Sequence, residues 1–236
     1  MFNNKKELKF YNKKKVFIPT QTTRYLYKAT EKYISKRKNL SLADMGTGNG
    51  IIGISLYKNL RNIKNLHFSD ISKEAISICK KNTITNKIKD SNITFLVSNV
   101  FSNFQKEKFD IIINDISGIS EKVAKISPWF RDVPCSSGEN GTDLTLQFLN
   151  NYKNFLNKKG MIFFPIISLC NEKQIINFLE KKKINYRIIS TNIWPLPQSM
   201  YRYKKELNIL KKKKIISFDE KFNLIIATTK ILMIRN

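Results

Sequence analysis

The sequence predicts an α/β fold: a doubly wound, mostly parallel seven-stranded sheet with one antiparallel edge strand and helices on both faces. Three observations carry this expectation. Short apolar runs alternate with helix-length stretches from residue 41 onward, the pattern of successive βαβ units. A glycine-rich turn, Gly46-Thr47-Gly48-Asn49-Gly50, separates the first apolar run from the first helical stretch. The last two apolar runs have no clear helix between them, so they pair antiparallel at one edge.

Taken in order, residues 1–39 read as a lead-in with one helix at about 22–37, and the main domain spans 40–236. SLADMG (41–46) is a strand and 50–60 a helix; NLHFSD (65–70) is a strand and ISKEAISICKKN (71–82) a helix. NITFLVSN (92–99) and FDIIINDI (109–116) are strands, the second buried. Residues 142–157 form a helix ending near Gly160, GMIFFPII (160–167) a strand and NEKQIINFLEKK (171–182) a helix. INYRIIS (184–190) and FNLIIATTKILMI (222–234) supply the last two strands, and 198–220 reads as a loop or short-helix insertion.

Composition narrows the function classes. The chain has 236 residues, 42% of them hydrophobic, enough for one sizeable core. No apolar run approaches the ~18 residues of a membrane span. The opening MFNNKKELKFYNKKK is charged and lacks the apolar region of a secretory signal. These features predict a cytoplasmic protein with no membrane contact. Cys79, Cys135 and Cys170 are widely spaced and odd in number, which predicts neither a disulfide framework nor a metal site. The single histidine, His67, lies in an apolar stretch and reads as structural. The net charge is +25, with lysines clustered at 5–6, 13–15, 181–183 and 211–214. One reading of this basic protein is nucleic-acid contact, an electrostatic footprint for RNA or a ribosomal surface. The other is a lysine-, asparagine- and isoleucine-rich composition inherited from an AT-rich genome.

Candidate site residues fall at strand ends, where open parallel sheets bind ligands. Strand one ends in Asp44 and the turn Gly46, Thr47, Gly48, Asn49 and Gly50. Strand two ends in Asp70 and Ile71, strand three in Asn99 and Val100, strand four in Asn114 and Asp115. An acid about 20 residues beyond a glycine turn is placed to bind a ribose diol. Gly48-Asn49-Gly50-Ile51-Ile52-Gly53 also matches the dinucleotide fingerprint, so NAD is one candidate ligand. Asp44 at the opening of the turn favours a ligand with a positive amine or sulfonium instead.

LADMGTGNGIIGISL resembles the first motif of class I S-adenosylmethionine-dependent methyltransferases, a Rossmann-like family. HFSDIS resembles their ribose-binding segment and SNVF their adenine-side motif. FYNKKKVFIPTQTTRYL (10–26), with Pro19, Thr23 and Leu26, resembles the lead-in of HemK-type glutamine methyltransferases, which modify translation release factors. SSGENGTD (136–143) resembles a later glycine-acid-glycine segment of that branch. The resemblance covers about residues 10–190. It implies S-adenosyl-L-methionine as cofactor and a glutamine nitrogen on a protein as acceptor. It places Asp44, the glycine turn, Asp70, Ile71, Asn99, Val100 and Asn114 at the cofactor, and Asn114 with Asp115 at the acceptor.

The chain departs from that branch after strand four. Where the branch carries Asn-Pro-Pro-Tyr, this sequence reads Asn114-Asp115-Ile116-Ser117. The first acceptor of a hydrogen bond is kept and the stacking aromatic is lost, a change worth about 1–3 kcal/mol if nothing replaces it. Trp129 or Phe130, in SPWFRDVP, can substitute for that face or serve as packing. The lead-in is shorter than the substrate-binding domain of the branch. The expected activity is methyl transfer to a nitrogen of a translation-apparatus macromolecule. Its alternatives are RNA base methylation, a catalytically silent S-adenosylmethionine- or RNA-binding module, and an NAD-dependent oxidoreductase.

Overall fold

The computed structural model describes residues 7–88 and 91–236, so Lys5 and Lys6 of the first lysine cluster lie outside the described residues. The chain runs α1 (Gln21–Ile34), β1 (Leu40–Met45), α2 (Ile51–Leu60), β2 (Ile63–Asp70), α3 (Lys73–Thr85), β3 (Ile93–Val97) and β4 (Phe109–Asn114). It continues through α4 (Glu121–Ile126), α5 (Asp143–Asn151), β5 (Leu156–Ile167), α6 (Glu172–Lys181), β6 (Tyr186–Pro195), α7 (Lys204–Lys212), β7 (Asp219–Lys221) and β8 (Leu224–Arg235). Among the described residues the strands form one sheet in the order β3-β2-β1-β4-β5-β8-β6, with β7 paired to β8. β1 to β5 pair in parallel. β8 runs antiparallel to both β5 and β6, so the expected antiparallel pair closes that edge and β8 is its reversed strand. Strand order reverses between β1 and β4, the point where open α/β sheets bind ligands.

The strands feed two cores because successive side chains point to opposite faces. Leu42, Ile111, Ile113, Phe163 and Ile231 face Leu26 and Ile34 of α1 and Ile52 and Leu56 of α2. Ala43, Ile112, Ile162, Phe164 and Leu232 face Phe148 and Leu149 of α5 and Ile175 and Leu179 of α6. Unbroken apolar runs such as Ile111-Ile112-Ile113 are the mark of strands covered on both faces. Each fully buried side chain of this size contributes about 1.5–3 kcal/mol.

A third cluster joins the 198–220 stretch to the body. Leu207 and Leu210 lie one helical turn apart on α7 and pack with Ile119, Val123 and Ala124, together with Ile215, Ile216 and Phe218. The stretch is thus a 3-10 turn (Gln198–Tyr203), then α7 and β7, and Lys211–Lys214 stay exposed. Three boundaries differ from expectation. The helix beginning at Asp143 stops at Asn151, and β5 already starts at Leu156. Phe109 pairs with Leu156 and Ile111 with Met161, so residues 157–160 bulge from the ladder, with Asn157 donating to Asp110 at 2.9 Å. β6 continues to Pro195, carried past Ser190 by pairing with β8. α4 and a 3-10 turn at Pro128–Phe130 fill a stretch left unassigned in the sequence. His67 packs edge-on against Phe109 at 4.8 Å, and burial lowers its pKa, as suits a packing role.

Asn82 of α3 and Asn86 at its C-terminal end hold the lead-in down. Asn82 Oδ1 accepts from Tyr11 N at 2.8 Å and its Nδ2 donates to Tyr11 O at 3.0 Å. One turn later Asn86 makes the same pair of bonds with Lys9, at 3.0 and 2.8 Å. Each side-chain amide thus imitates a strand partner. Asn82 Nδ2 also donates to Asn49 O in the glycine turn at 2.8 Å. Asn82→Ala removes all three bonds and leaves the buried Asn49 carbonyl without this donor, which costs about 1–3 kcal/mol. Urea denaturation is expected to show a lower midpoint at an unchanged slope, equivalent to that loss of stability; an unchanged midpoint would show that the lead-in is anchored elsewhere.

Candidate functional site

The turn after β1 folds back on two other strand ends. Gly46, Gly48 and Gly50 have φ of 68°, 54° and 83°, a left-handed region that glycine enters without steric cost. Thr47 N–H donates to Ser69 O at 3.0 Å, tying the turn to the end of β2. Gly46 lies on the backbone of the segment after β4: a Cβ there would stand 2.9 Å from Asp115 C and Ile116 N. One turn into α2, Gly53 N–H donates to Asp44 Oδ2 at 2.9 Å. A Cβ on Gly53 would come 2.5 Å from the Phe68 ring. The last glycine of the dinucleotide-like spacing therefore serves close helix–strand packing and supplies a donor to Asp44.

Three carboxyl groups surround this turn. Asp44 is buried, and its Oδ2 accepts from Gly53 and from Thr47 Oγ1 at 3.0 Å. Its Oδ1 has no hydrogen-bond partner. Burial pushes the Asp44 pKa up to about 6. Asp70 Oδ2 accepts from Gly48 N at 3.0 Å and Oδ1 from Ser72 N at 2.9 Å, so its side chain is fixed at both oxygens. Burial raises its pKa too, against the lowering effect of those amides. Asp115, half-buried at the end of β4, is pushed up to about 7, chiefly by burial and further by Asp44; its hydrogen bond to Thr23 opposes the shift.

These residues open into one cleft of about 520 Å³, within the range of small-molecule sites. Asp44, Gly46, Thr47, Gly48, Asn49, Asp70, Ile71, Asn99, Val100 and Asp115 all line it. Ile71 is 63% exposed, an unusual state for isoleucine, and Val100 adopts φ of 51°. Asn99 projects at the rim, where its backbone N–H bonds Ser102 Oγ at 3.2 Å. Gly50 and Asn114 are not among the lining residues. Gly50 caps α2 and packs on Cys79. Asn114 is buried, and its Oδ1 accepts from Ile116 N at 3.1 Å, bracing the turn that carries Asp115.

The far wall joins Thr23, Trp129 and Phe130, which the sequence singles out, to Phe17 and Trp194, which it does not. Thr23 of α1 reaches Asp115, and Phe17 of the lead-in meets Phe130 at 5.0 Å. Trp129 meets Trp194 edge-on at 5.7 Å. All of these line the cleft. Ser117, in the place of the aromatic of the related branch, contacts Cys135 Sγ at 2.9 Å, and Ser137 Oγ donates to its carbonyl at 2.8 Å. The 136–143 loop is fastened by Gly138 N–H donating to Glu121 at 2.9 Å and by Lys122 pairing with Glu139. The two glycines of its glycine-acid-glycine pattern both take positive φ. Lys15 also lines the cleft. Among the described residues no helix is long and apolar enough to cross a membrane.

Comparison with known proteins places this arrangement. Residues 7–115 match the family model of the methyltransferase small domain. The chain is 29% identical over 170 residues to a release factor glutamine methyltransferase of Bacillus cereus, covering 66% of this chain and 58% of that protein. It is 29% identical over 184 residues to the one of Clostridium acetobutylicum, covering 74% and 63%. The chain therefore spans less than two thirds of the length of these relatives. The E. cuniculi Mtq2-Trm112 complex, described as methylating the translation termination factor eRF1, aligns with a TM-score of 0.57. That alignment covers 94% of this chain and 99% of the other at 14% identity, which shows a shared fold. The sequence resemblance is thus to release factor glutamine methyltransferases, and the fold is one that methyltransferases share.

Asp44 and Asp115 hold their protons more tightly in the fold than in an unfolded chain, where aspartate titrates near 3.9. At these two sites the folded state binds more protons than the unfolded one between about pH 4 and 7. Stability is therefore expected to fall as pH rises through that window and to level off above it. Thermal melts from pH 4.5 to 8 should show this slope, and Asp115→Asn should flatten its upper part; the same slope in the variant would assign the effect to other groups.

Proposed function

We propose that the chain is an S-adenosyl-L-methionine-dependent methyltransferase whose acceptor is a nitrogen in the translation apparatus, the side-chain amide of a glutamine in a translation factor. The observation that carries the reading is the buried, unpartnered Oδ1 of Asp44 beside a glycine turn whose next amide is bound to Asp70. An anion left without a partner in a buried position is costly, and a cationic ligand group would answer it. The two acids also suit the two ends of such a cofactor: Asp44 the ammonium-bearing end, Asp70 the ribose diol. Ile71 and Val100 offer apolar faces to a purine, and Asn99 a donor and an acceptor to its edge. Gly46, Thr47, Gly48 and Asn49 line the approach. The relatives' names support the glutamine acceptor.

When bound, the cofactor supplies a methyl group made electrophilic by an adjacent sulfonium. The chain's own part is mainly positioning, the advantage of two reactants held in line. An amide nitrogen is a weak nucleophile because its lone pair is conjugated. Asp115 faces the acceptor side and, near neutrality, can accept a hydrogen bond or a proton from that nitrogen. Asn114, with its Oδ1 bound to Ile116 N–H, holds the turn that aims Asp115 and the carbonyl beside it. Thr23 fixes the Asp115 carboxyl.

A second reading, a nitrogen on RNA, is favoured by the net charge of +25 and by the exposed Lys211–Lys214 run. Replacing those four lysines with alanine tests it with an RNA hairpin as probe. A phosphate-tracking run should lose about 0.7–0.9 in salt slope per contact removed; an unchanged slope would leave the run as solvated surface.

Calorimetric titration tests the main reading. S-adenosylmethionine is expected to bind, NAD to bind weakly or not at all, and Asp70→Ala to weaken the first by about 10- to 100-fold, the worth of a charge-assisted hydrogen-bond pair. Affinity should rise from pH 5 to 7 as Asp44 ionises. Binding of NAD in preference to S-adenosylmethionine would sink the proposal.

A further inference from the structure

We propose that Trp129 and Trp194 form the acceptor-recognition face of the cleft, on which the planar carboxamide of the acceptor glutamine stacks. The inference rests on the methyltransferase reading above and assigns residues that it left without a role.

The chain contains two tryptophans, and both line the same cleft. They come from separate elements, Trp129 from the 3-10 turn after α4 and Trp194 from the end of β6. Both are half-buried, and both lie at the margin of the third cluster. The buried interior of that cluster is largely aliphatic, with Leu207, Leu210, Ile215 and Ile216 fully enclosed, so it is filled without an indole. Two large aromatic surfaces left open in a cleft are a binding wall rather than a core.

The wall is rigid before anything binds. Trp194 Nε1 donates to Thr229 Oγ1 at 2.9 Å, and Thr229 Oγ1 lies 3.2 Å from Thr22 Oγ1. β8 and α1 therefore hold the indole from behind. Trp129 rests edge-on against it at 5.7 Å, and neighbouring Phe130 is seated on Phe17. Aromatic groups already ordered lose little entropy when a ligand stacks on them. Asp115 lines the same cleft and supplies the discrimination. A neutral carboxamide can stack on an indole and donate an N–H to that carboxyl. A carboxylate side chain would be repelled by it, and a branched aliphatic one would leave it without a donor.

Because both tryptophans sit in the wall, their emission reports its occupancy. The test titrates the full chain, saturated with S-adenosylhomocysteine, with a short peptide carrying a central glutamine and with its leucine counterpart. The glutamine peptide is expected to shift the emission saturably and to bind about tenfold more tightly than the leucine peptide. Trp129→Ala and Trp194→Ala should each weaken peptide binding about tenfold, the range of stacking on an aromatic platform, with S-adenosylhomocysteine affinity unchanged. Trp129→Phe and Trp194→Phe should bind within about threefold of wild type and leave one reporter each. The proposal is overturned if the peptide gives no shift, if both peptides act alike, or if the alanine variants bind as tightly as wild type. A shift with cytidine or adenosine and none with the glutamine peptide would overturn it in favour of a nucleobase. Failure of the wild-type chain to bind S-adenosylhomocysteine would count against the methyltransferase reading instead, and the same titration without it would still decide the role of the wall.

Discussion

Two backbone amides bound to two carboxylates organise this molecule. Gly48 N–H holds Asp70 and Gly53 N–H holds Asp44. The first bond ties the turn after β1 to the end of β2, and the second ties α2 to the end of β1. Neither is possible unless the chain reverses within five residues, which the left-handed glycines permit. With those bonds in place, α2 lies close enough to the sheet to seal Phe68 and Cys79 beneath it. Gly46 meanwhile lies on the backbone of Asp115, so the same turn sets the height of the β4 end. Helix packing and the acids at the ends of three strands are thus positioned by one short segment.

The cost of the arrangement is borne by electrostatics. Three carboxyl groups gather where water is scarce, and the pKa of each is raised mainly by burial. Local donors soften this without cancelling it. Anionic density held ready for an incoming cation is a common way to build a binding site at the expense of the empty fold. The lead-in contributes a second kind of economy. Its described residues make no sheet ladder, and the amides of Asn82 on α3 and of Asn86 at its end substitute for a strand.

What the sequence discloses and what it hides follow from range. The β1 turn and Asp70 were legible because a strand, a glycine reversal and an acid at the next strand end constrain one another locally. The gathering of ten of the expected residues in one cleft follows from parallel strands ending on the same side. Asn114 was read as facing the cleft, since it stands at the end of β4. Its amide instead turns back on Ile116 N–H, a choice made by two neighbouring residues that no periodicity records. Thr23, Phe17 and Trp194 reach the site only through contacts between segments far apart in the chain. Trp194 was further obscured because Thr191 and Asn192 look like a strand end, and only pairing with β8 carries β6 past them. The helix after Thr142 was drawn too long for a related reason: the lysines and glycine at 158–160 signal a break, but the break belongs to a strand bulge rather than a helix end.

Thr229 has a consequence for biosynthesis. It lies on β8, which enters between β5 and β6 although both precede it in the chain. The hydroxyl that braces Trp194 and meets Thr22 therefore arrives after every other strand has been made. A ribosome emitting this chain releases the glycine turn and its acids early, and domains fold in step with emergence. The glycine turn and its acids can be shaped while synthesis continues, whereas Trp194 is braced only once β8 has slotted in. A nascent chain that lacks β8 therefore lacks the hydroxyl that braces Trp194.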